Sequence, residues 1–134
     1  MSLLLLDTTF LIDAERGAEA LDELIGDDDD VAIAAITVAE LVVGVELSSP
    51  RQRTRRQAYV DEIVASIPVL PYDEAVALTH ANMLVAVRRA GRPRGAHDLI
   101  IAATAVAARR TVVSADRRAF DDLPGVESID HRSP

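Results

Sequence analysis

Four carboxylates are the residues of this sequence best suited to chemistry. Asp7 and Asp116 each directly follow an apolar run, Glu40 lies one helical turn beyond another, and Asp98 opens an Ala-rich segment. If folding brings them together they repel, since two unit charges about 5 Å apart at an effective dielectric near 20 cost roughly 3 kcal/mol. Such a cluster must take up protons or bind a cation.

The residue types restrict that cation. The chain has no Cys and no His spaced for coordination, which leaves all-oxygen ligation. Carboxylate oxygens favour hard Mg²⁺ or Mn²⁺ over Zn²⁺. Metal sites of this kind commonly act on phosphates.

Each acid taken singly also has a structural explanation. Thr37-x-x-Glu40 has the pattern of a helix capping box, and Asp98 can cap a helix N-terminus. Asp7 and Asp116 can serve caps or short turns in the same way. Their conjunction beside predicted strands is what favours a common site.

The elements that must position these acids alternate as in a parallel sheet covered on both faces. Apolar runs predict strands at 2–6, 31–35, 67–72, 111–114 and 126–129, the third bracketed by prolines and suited to a sheet edge. Helices are predicted over 10–25, from Thr37 to 47, after Pro50, over 73–91 and over 98–110.

This alternation predicts an α/β three-layer fold: a central, mostly parallel sheet of four or five strands with helices on both faces. Residues 1–134 are expected to form a single domain. Ligands of such sheets bind beyond the carboxyl ends of the strands. The acids converge there if the first strand lies between the second and the fourth.

Composition narrows the class further. The 134 residues include 14 Arg, no Lys and 22 acidic residues, for a net charge of -8. Disulfides and thiolate metal sites are excluded by the absence of Cys. No apolar run approaches the roughly 20 residues of a membrane span, and the short Leu run at 3–6 has no basic residue before it. A cytoplasmic protein without a membrane partner is expected.

Several phosphate chemistries lack their residues here. A receiver domain or a haloacid-dehalogenase-type phosphatase needs a Lys, and the latter also needs Asp where Thr9 stands. Neither GxGxxG nor GxxxxGK[ST] occurs. A metal-independent ribonuclease would use two neighbouring His residues. His80 is predicted mid-helix, His131 in the tail, and only His97 in a loop near the expected site of the acids. Metal-dependent cleavage of a phosphodiester remains.

Four sequence blocks resemble the motifs of PIN-domain ribonucleases, specifically VapC-type toxins of bacterial toxin–antitoxin pairs. They are LLLLDTTFLID, TVAELVVGVE, GRPRGAHDLIIAATAVAARR and TVVSADRRAFDDLPGV. The resemblance spans nearly the whole chain, with an acid at each expected place. Where many members have Asn or Ser two residues after the first acid, this chain has Thr9.

The resemblance implies a Mg²⁺-dependent endoribonuclease, with Mn²⁺ able to replace Mg²⁺. Its acidic quartet falls on Asp7 and Asp98 as primary metal ligands, completed by Glu40 and Asp116. It implies that the metal binds a phosphate oxygen and lowers the pKa of a bound water. Hydroxyls that orient these carboxylates fall on Thr8 and Ser114.

The resemblance also implies partners: an RNA substrate, a cognate VapB-type antitoxin and a second copy of the chain in a homodimer. Because the chain is acidic, RNA contacts must come from local Arg clusters. Arg92 and Arg94 precede Asp98 in a Gly- and Pro-containing segment, and Arg51 and Arg53 belong to a group of Arg at a predicted helix N-terminus. Few aromatic residues are available to stack bases.

Two alternatives stay open. A PIN-like module that binds RNA or protein without cutting it would lack one or more of the four acids, all of which are present here. A DNA-directed metal nuclease would use the same residues, since such a site can hydrolyse either polymer.

Overall fold

The computed structural model describes residues 1–17 and 25–130. The strands are β1 Leu3–Leu6, β2 Asp30–Ala34, β3 Val69–Leu70, β4 Thr111–Ser114 and β5 Ser128–Asp130. The helices are α1 Thr8–Arg16, α2 Ala35–Glu46, α3 Pro50–Ser66, α4 Glu74–Ala90 and α5 Ala96–Ala107, and Arg117–Ala119 forms a 3-10 turn. Part of the helical segment expected over 10–25 lies outside the described residues, as does His131.

The strands form one five-stranded sheet in the order β3-β2-β1-β4-β5, and every neighbouring pair is parallel. The predicted α/β fold is therefore confirmed. β1 lies between β2 and β4, the arrangement that brings the carboxyl ends of these strands together. Within the described ranges, no helix has the length and apolar character needed to cross a bilayer.

β1 is the centre of both hydrophobic cores because its Leu side chains alternate between the two sheet faces. Leu5 packs with residues of α4 and α5 such as Val76 and Ala102. Leu6 packs on the opposite face with Phe10 and with residues of α2 and α3. The helices on each face complete the three layers. Because Leu5 and Leu6 are fully buried in this core, the position of Asp7, the next residue, is fixed.

Several element boundaries differ from expectation. α2 begins at Ala35 instead of Thr37, its N-cap Ala34 makes no side-chain hydrogen bond, and Thr37 is fully buried within the helix. The capping-box explanation of Glu40 is therefore wrong. α5 also begins early, at Ala96, so Asp98 lies in its first turn and is not its N-cap.

The predicted edge strand at 67–72 is reduced to Val69–Leu70, and it lies at the sheet edge as expected. The prolines at 68 and 71 lack the amide N–H that would extend the ladder. Pro68 contributes only as an acceptor, taking a 3.0 Å hydrogen bond from the Ile33 amide.

Candidate active site

Asp7 ends β1 and caps α1. Its Oδ1 accepts hydrogen bonds from the Phe10 amide at 2.9 Å and the Thr9 hydroxyl at 2.8 Å, and its Oδ2 accepts one from Ser114 Oγ at 2.6 Å. The side chain is buried. Burial raises the pKa of this carboxyl, the hydrogen bonds oppose that rise, and the charge of Glu40 adds to it. Asp7 is thus both a helix cap and a buried acid at the carboxyl end of the central strand.

Ser114 and Thr9 join Asp7 to the end of β4. The Asp116 amide donates to Ser114 Oγ at 2.8 Å, and the Ala115 amide donates to Thr9 Oγ1 at 2.9 Å. These bonds hold the segment that carries Asp116 against the start of α1, while Asp116 itself is exposed. The hydroxyl of Thr9 therefore supplies a hydrogen bond to the first acid in place of Asn or Ser.

Glu40 is held from two sides. Thr8 Oγ1 donates to its Oε1 at 2.7 Å, and Thr8 is itself 3.4 Å from the hydroxyl of the buried Thr37. On the other side, His97 Nδ1 lies 3.5 Å from Glu40 Oε2. The expectation that His97 is a loop residue is wrong, because α5 begins at Ala96 and places this ring beside the acid.

Asp98 completes the group from the first turn of α5. Its pKa is raised to about 6, chiefly by burial and then by the charges of the other three acids, Asp116, Asp7 and Glu40, while His97 acts in the opposite direction. A charge acts on a pKa in this way only at short range, so each of the other three carboxylates lies near Asp98. Asp98 is therefore the acid that senses the charge of all the others.

The backbone at Gly95 leaves room for the Asp98 side chain. A Cβ placed on Gly95 would stand 2.9 Å from Asp98 Oδ2, closer than real Cβ contacts come. The absence of a side chain at this N-cap thus helps to set the position of the carboxylate.

As the side chains lie, no three His, Asp or Glu residues in ranges 1–17 and 25–130 are grouped closely enough to hold one metal ion. The structure brings the four acids within electrostatic range without joining them at a single point. Hydrogen bonds account for part of this separation, because Glu40 is directed toward Thr8 and Asp7 toward Ser114.

The four Arg candidates fall at two places. Arg92 Nη1 lies 3.3 Å from Asp122 Oδ2, and Arg94 Nη1 donates to the Ala119 carbonyl at 3.4 Å, so both contact the segment that follows Asp116. Arg51 and Arg53 begin α3, and Arg53 Nη2 donates to the carbonyl of Glu46 at 3.1 Å.

The two places differ in their distance from the acids. Glu46 ends α2 about 9 Å along the helix axis beyond Glu40, at 1.5 Å per residue. Arg53 is thus held at the end of α2 remote from the acids, whereas Arg94 is four residues from Asp98.

A model of the PIN domain matches residues 4–126. This chain belongs to the PIN-domain family. Ribonuclease VapC5 of Mycobacterium tuberculosis is 32% identical over 125 residues, covering 93% of this chain and 90% of that protein. The tRNA(fMet)-specific endonuclease VapC of Salmonella typhimurium is 31% identical over 100 residues, covering 75% of this chain and 74% of the relative. The chain is a PIN domain of the VapC type.

Solved structures give the same result. The PIN domain is similar to the toxin–antitoxin complex VapBC-5 of Mycobacterium tuberculosis, with a TM-score of 0.80, 30% identity and coverage of 96% and 98% of the two chains. It also matches a DNA-bound VapBC of Salmonella typhimurium, with a TM-score of 0.87, 28% identity and coverage of 98% and 99%. The resemblance noted in the sequence is therefore confirmed.

His97 lies beside the acids, and the sequence patterns did not predict its contact with Glu40. Its contact with Glu40 joins α5 to α2 across 57 positions, a distance that local spacing does not encode. The available signal was its position directly before an acid of the quartet.

Proposed function

We propose that this PIN domain is a Mg²⁺-dependent endoribonuclease, with Mn²⁺ able to replace Mg²⁺, and that it acts as the toxin of a toxin–antitoxin pair. The observation that carries the proposal is the strand order β2-β1-β4, which brings together the carboxyl strand ends that precede Asp7, Glu40 and Asp116. Burial, and then the charges of these three acids, raise the pKa of the nearby Asp98 to about 6. An uncompensated cluster of this kind costs free energy, and a divalent cation would recover it.

The residues fit a divalent cation by the chemistry of their donors. The group is all-oxygen and holds more negative charge than its surroundings neutralise, which suits Mg²⁺. Asp7 and Asp98 are the direct ligands in this proposal, with Glu40 and Asp116 completing the site once their side chains turn toward the ion. When bound, the ion supplies a water of lowered pKa and neutralises charge on the phosphate.

The chain's own hydroxyls orient the acids for this task. Ser114 and Thr9 donate to the two oxygens of Asp7, which opposes the rise in pKa that burial causes and favours the charged, ligand-competent form. Thr8 donates in a similar way to Oε1 of Glu40. We assign Thr8 and Ser114 as positioning residues, since partners of this kind fix the direction of metal-binding carboxylates.

RNA is the preferred substrate because the matched relatives are named as ribonucleases. Arg92 and Arg94 are assigned to phosphate contacts, since they lie on the segment leading to Asp98 and contact the segment that follows Asp116. Arg51 and Arg53 are assigned to a more distant part of the RNA.

The test is incubation of RNA and DNA oligonucleotides of matched sequence in Mg²⁺ or in excess EDTA. We expect cleavage of RNA alone, only with the metal, leaving 5′-phosphate ends. Cleavage of DNA alone would indicate the DNA-directed nuclease, and binding of RNA without cleavage would indicate the non-catalytic module. Cleavage of RNA in EDTA would exclude the metal site as its cause.

The proposed partners are a VapB-type antitoxin and a second copy of the chain. The antitoxin is supported by the similar solved structures, which are toxin–antitoxin complexes. A chain of net charge -8 suits a partner segment that carries basic residues. Co-expression with such an antitoxin should give a stable complex without RNase activity, and light scattering on the isolated chain should give the mass of a dimer.

A further inference from the structure

A pocket of about 150 Å³ lies between the end of α4 and the segment after the 3-10 turn. Its apolar lining, here called the floor, includes Ala86, Leu123 and Pro124, and its charged lining, here called the rim, consists of Arg92, Arg94 and Asp122. Small apolar side chains beneath a rim of opposite charges make a site for a flat molecule with polar edges.

Both walls of this pocket are close in sequence to members of the acidic group. Arg94 precedes Asp98 by four residues, and at no more than about 3.6 Å per residue their Cα atoms lie within about 14 Å. The opposite wall is formed by Asp122, Leu123 and Pro124, and Asp122 follows Asp116 by six residues. Arg94, and with it this side of the pocket, therefore lies within the reach of a nucleotide chain whose phosphate is at the acids.

The ion pair between Arg92 and Asp122 at the rim can open, so that both side chains can bind a ligand instead. The ion pair between Arg92 and Asp122 is long at 3.3 Å, and the two side chains are 69% and 75% exposed. Pairs this exposed contribute little stability. Arg94 is different, because its hydrogen bond to the Ala119 carbonyl holds the two walls together.

We propose that this pocket binds the nucleobase beside the scissile phosphate of single-stranded RNA, and that it prefers guanine. The inference rests on the proposed function, whose specificity it would supply. Single-stranded RNA is read by bases that leave the stack and present their faces and edges to protein. The floor at Ala86, Leu123 and Pro124 accepts the base face.

Guanine is favoured by the chemistry of Asp122. A carboxylate only accepts hydrogen bonds and has two oxygens side by side. The Watson–Crick edge of guanine offers two adjacent N–H donors, whereas cytosine and adenine each place an acceptor beside the exocyclic amine and uracil has one ring N–H. When the base displaces Arg92 from Asp122, this guanidinium is released to a neighbouring phosphate.

The test uses fluorescent single-stranded oligouridylates that carry one central G, A, C or U. Anisotropy in Ca²⁺ measures binding, and the same oligonucleotides in Mg²⁺ measure cleavage. We expect the G oligonucleotide to bind about tenfold more tightly to the wild-type protein. Ala86→Leu, which fills the pocket, and Asp122→Asn, which removes the carboxylate, should each reduce this preference below about twofold.

Ala81→Leu is the matched control, because Ala81 is exposed on the same helix and does not line the pocket. It should keep the full preference. A base preference that is absent from the wild type, or that survives both pocket variants, would overturn the inference even if RNA is cleaved. Pocket-dependent preference for G without cleavage in Mg²⁺ would instead support the pocket and contradict the proposed function.

Discussion

Ser114 Oγ donates a 2.6 Å hydrogen bond to Oδ2 of Asp7, joining the carboxyl ends of two adjacent parallel strands, β4 and β1. The same Oγ accepts from the Asp116 amide. One hydroxyl thus links two of the four acids, which makes it the natural point at which to perturb the site.

Ser114→Ala should weaken the proposed metal site more than the fold. Loss of a partner that orients a metal-binding carboxylate typically costs about 10- to 100-fold in metal affinity or activity. We expect the Mg²⁺ concentration for half-maximal RNA cleavage to rise by that factor. Thr79→Ala is the control, since its hydroxyl bonds only the Ala75 carbonyl of its own helix turn. If both variants raised the required Mg²⁺ concentration equally, Ser114 would have no specific role in positioning the carboxylate.

Asp7→Asn should abolish cleavage and leave the protein folded. The Asn carbonyl can still accept from the Phe10 amide and Thr9, and the neutral amide avoids the burial cost that raises the pKa of Asp7. RNA cleavage should fall by at least about 100-fold. Circular dichroism should give a melting temperature within a few degrees of wild type, and full activity in a folded variant would contradict the assignment.

The stability of the metal-free protein should depend on pH through Asp98. Its pKa is about 6 in the folded chain against a reference value of 3.8, so the folded state holds this proton more tightly than the unfolded state. The resulting destabilisation is absent below the reference value, grows as the pH rises toward 6, and is complete above that.

Asp98→Asn removes this penalty. In EDTA at pH 7 the variant should melt at a higher temperature than wild type, and the difference should shrink toward zero near pH 4. Thermal melts of both proteins across this range measure the effect. A gap that is constant with pH would show that Asp98 does not titrate as described.

Gly95→Ala should reduce cleavage without unfolding the chain. The added Cβ would meet Asp98 Oδ2 at 2.9 Å, so this carboxylate must move, while the backbone φ of -58° suits alanine. Gly44→Ala is the comparison, since nothing lies within 4 Å of its Cβ position inside α2. It should raise stability by about 0.5–1 kcal/mol and leave the rate unchanged. Equal rates for the two variants would remove the steric explanation.

The central sheet could be predicted because its strands are buried on both faces. A run of four Leu residues ending in Asp7 is a strong local signal, and the prolines around β3 correctly marked an edge. The strand order could not be predicted from local patterns, because the position of β1 between β2 and β4 depends on contacts remote in sequence.

The start of α2 was misplaced because a hydroxyl followed three residues later by an acid is a typical capping pattern. In the folded chain Thr37 is buried beside Thr8, and Thr8, not a backbone amide, is the partner of Glu40. The competing tertiary contact thus overrode a local rule, and it did so at the candidate site. The contact of His97 with Glu40 is also a tertiary contact, which local sequence patterns do not predict.

The most direct test of the acidic site is the anomalous scattering of a crystal soaked in Mn²⁺. We expect a peak at the carboxyl end of β1, with oxygens of Asp7 and Asp98 at about 2.0–2.3 Å from the ion, and no peak there in Asp7→Asn. A fully active wild-type protein whose crystals show no ion among these four acids would contradict it.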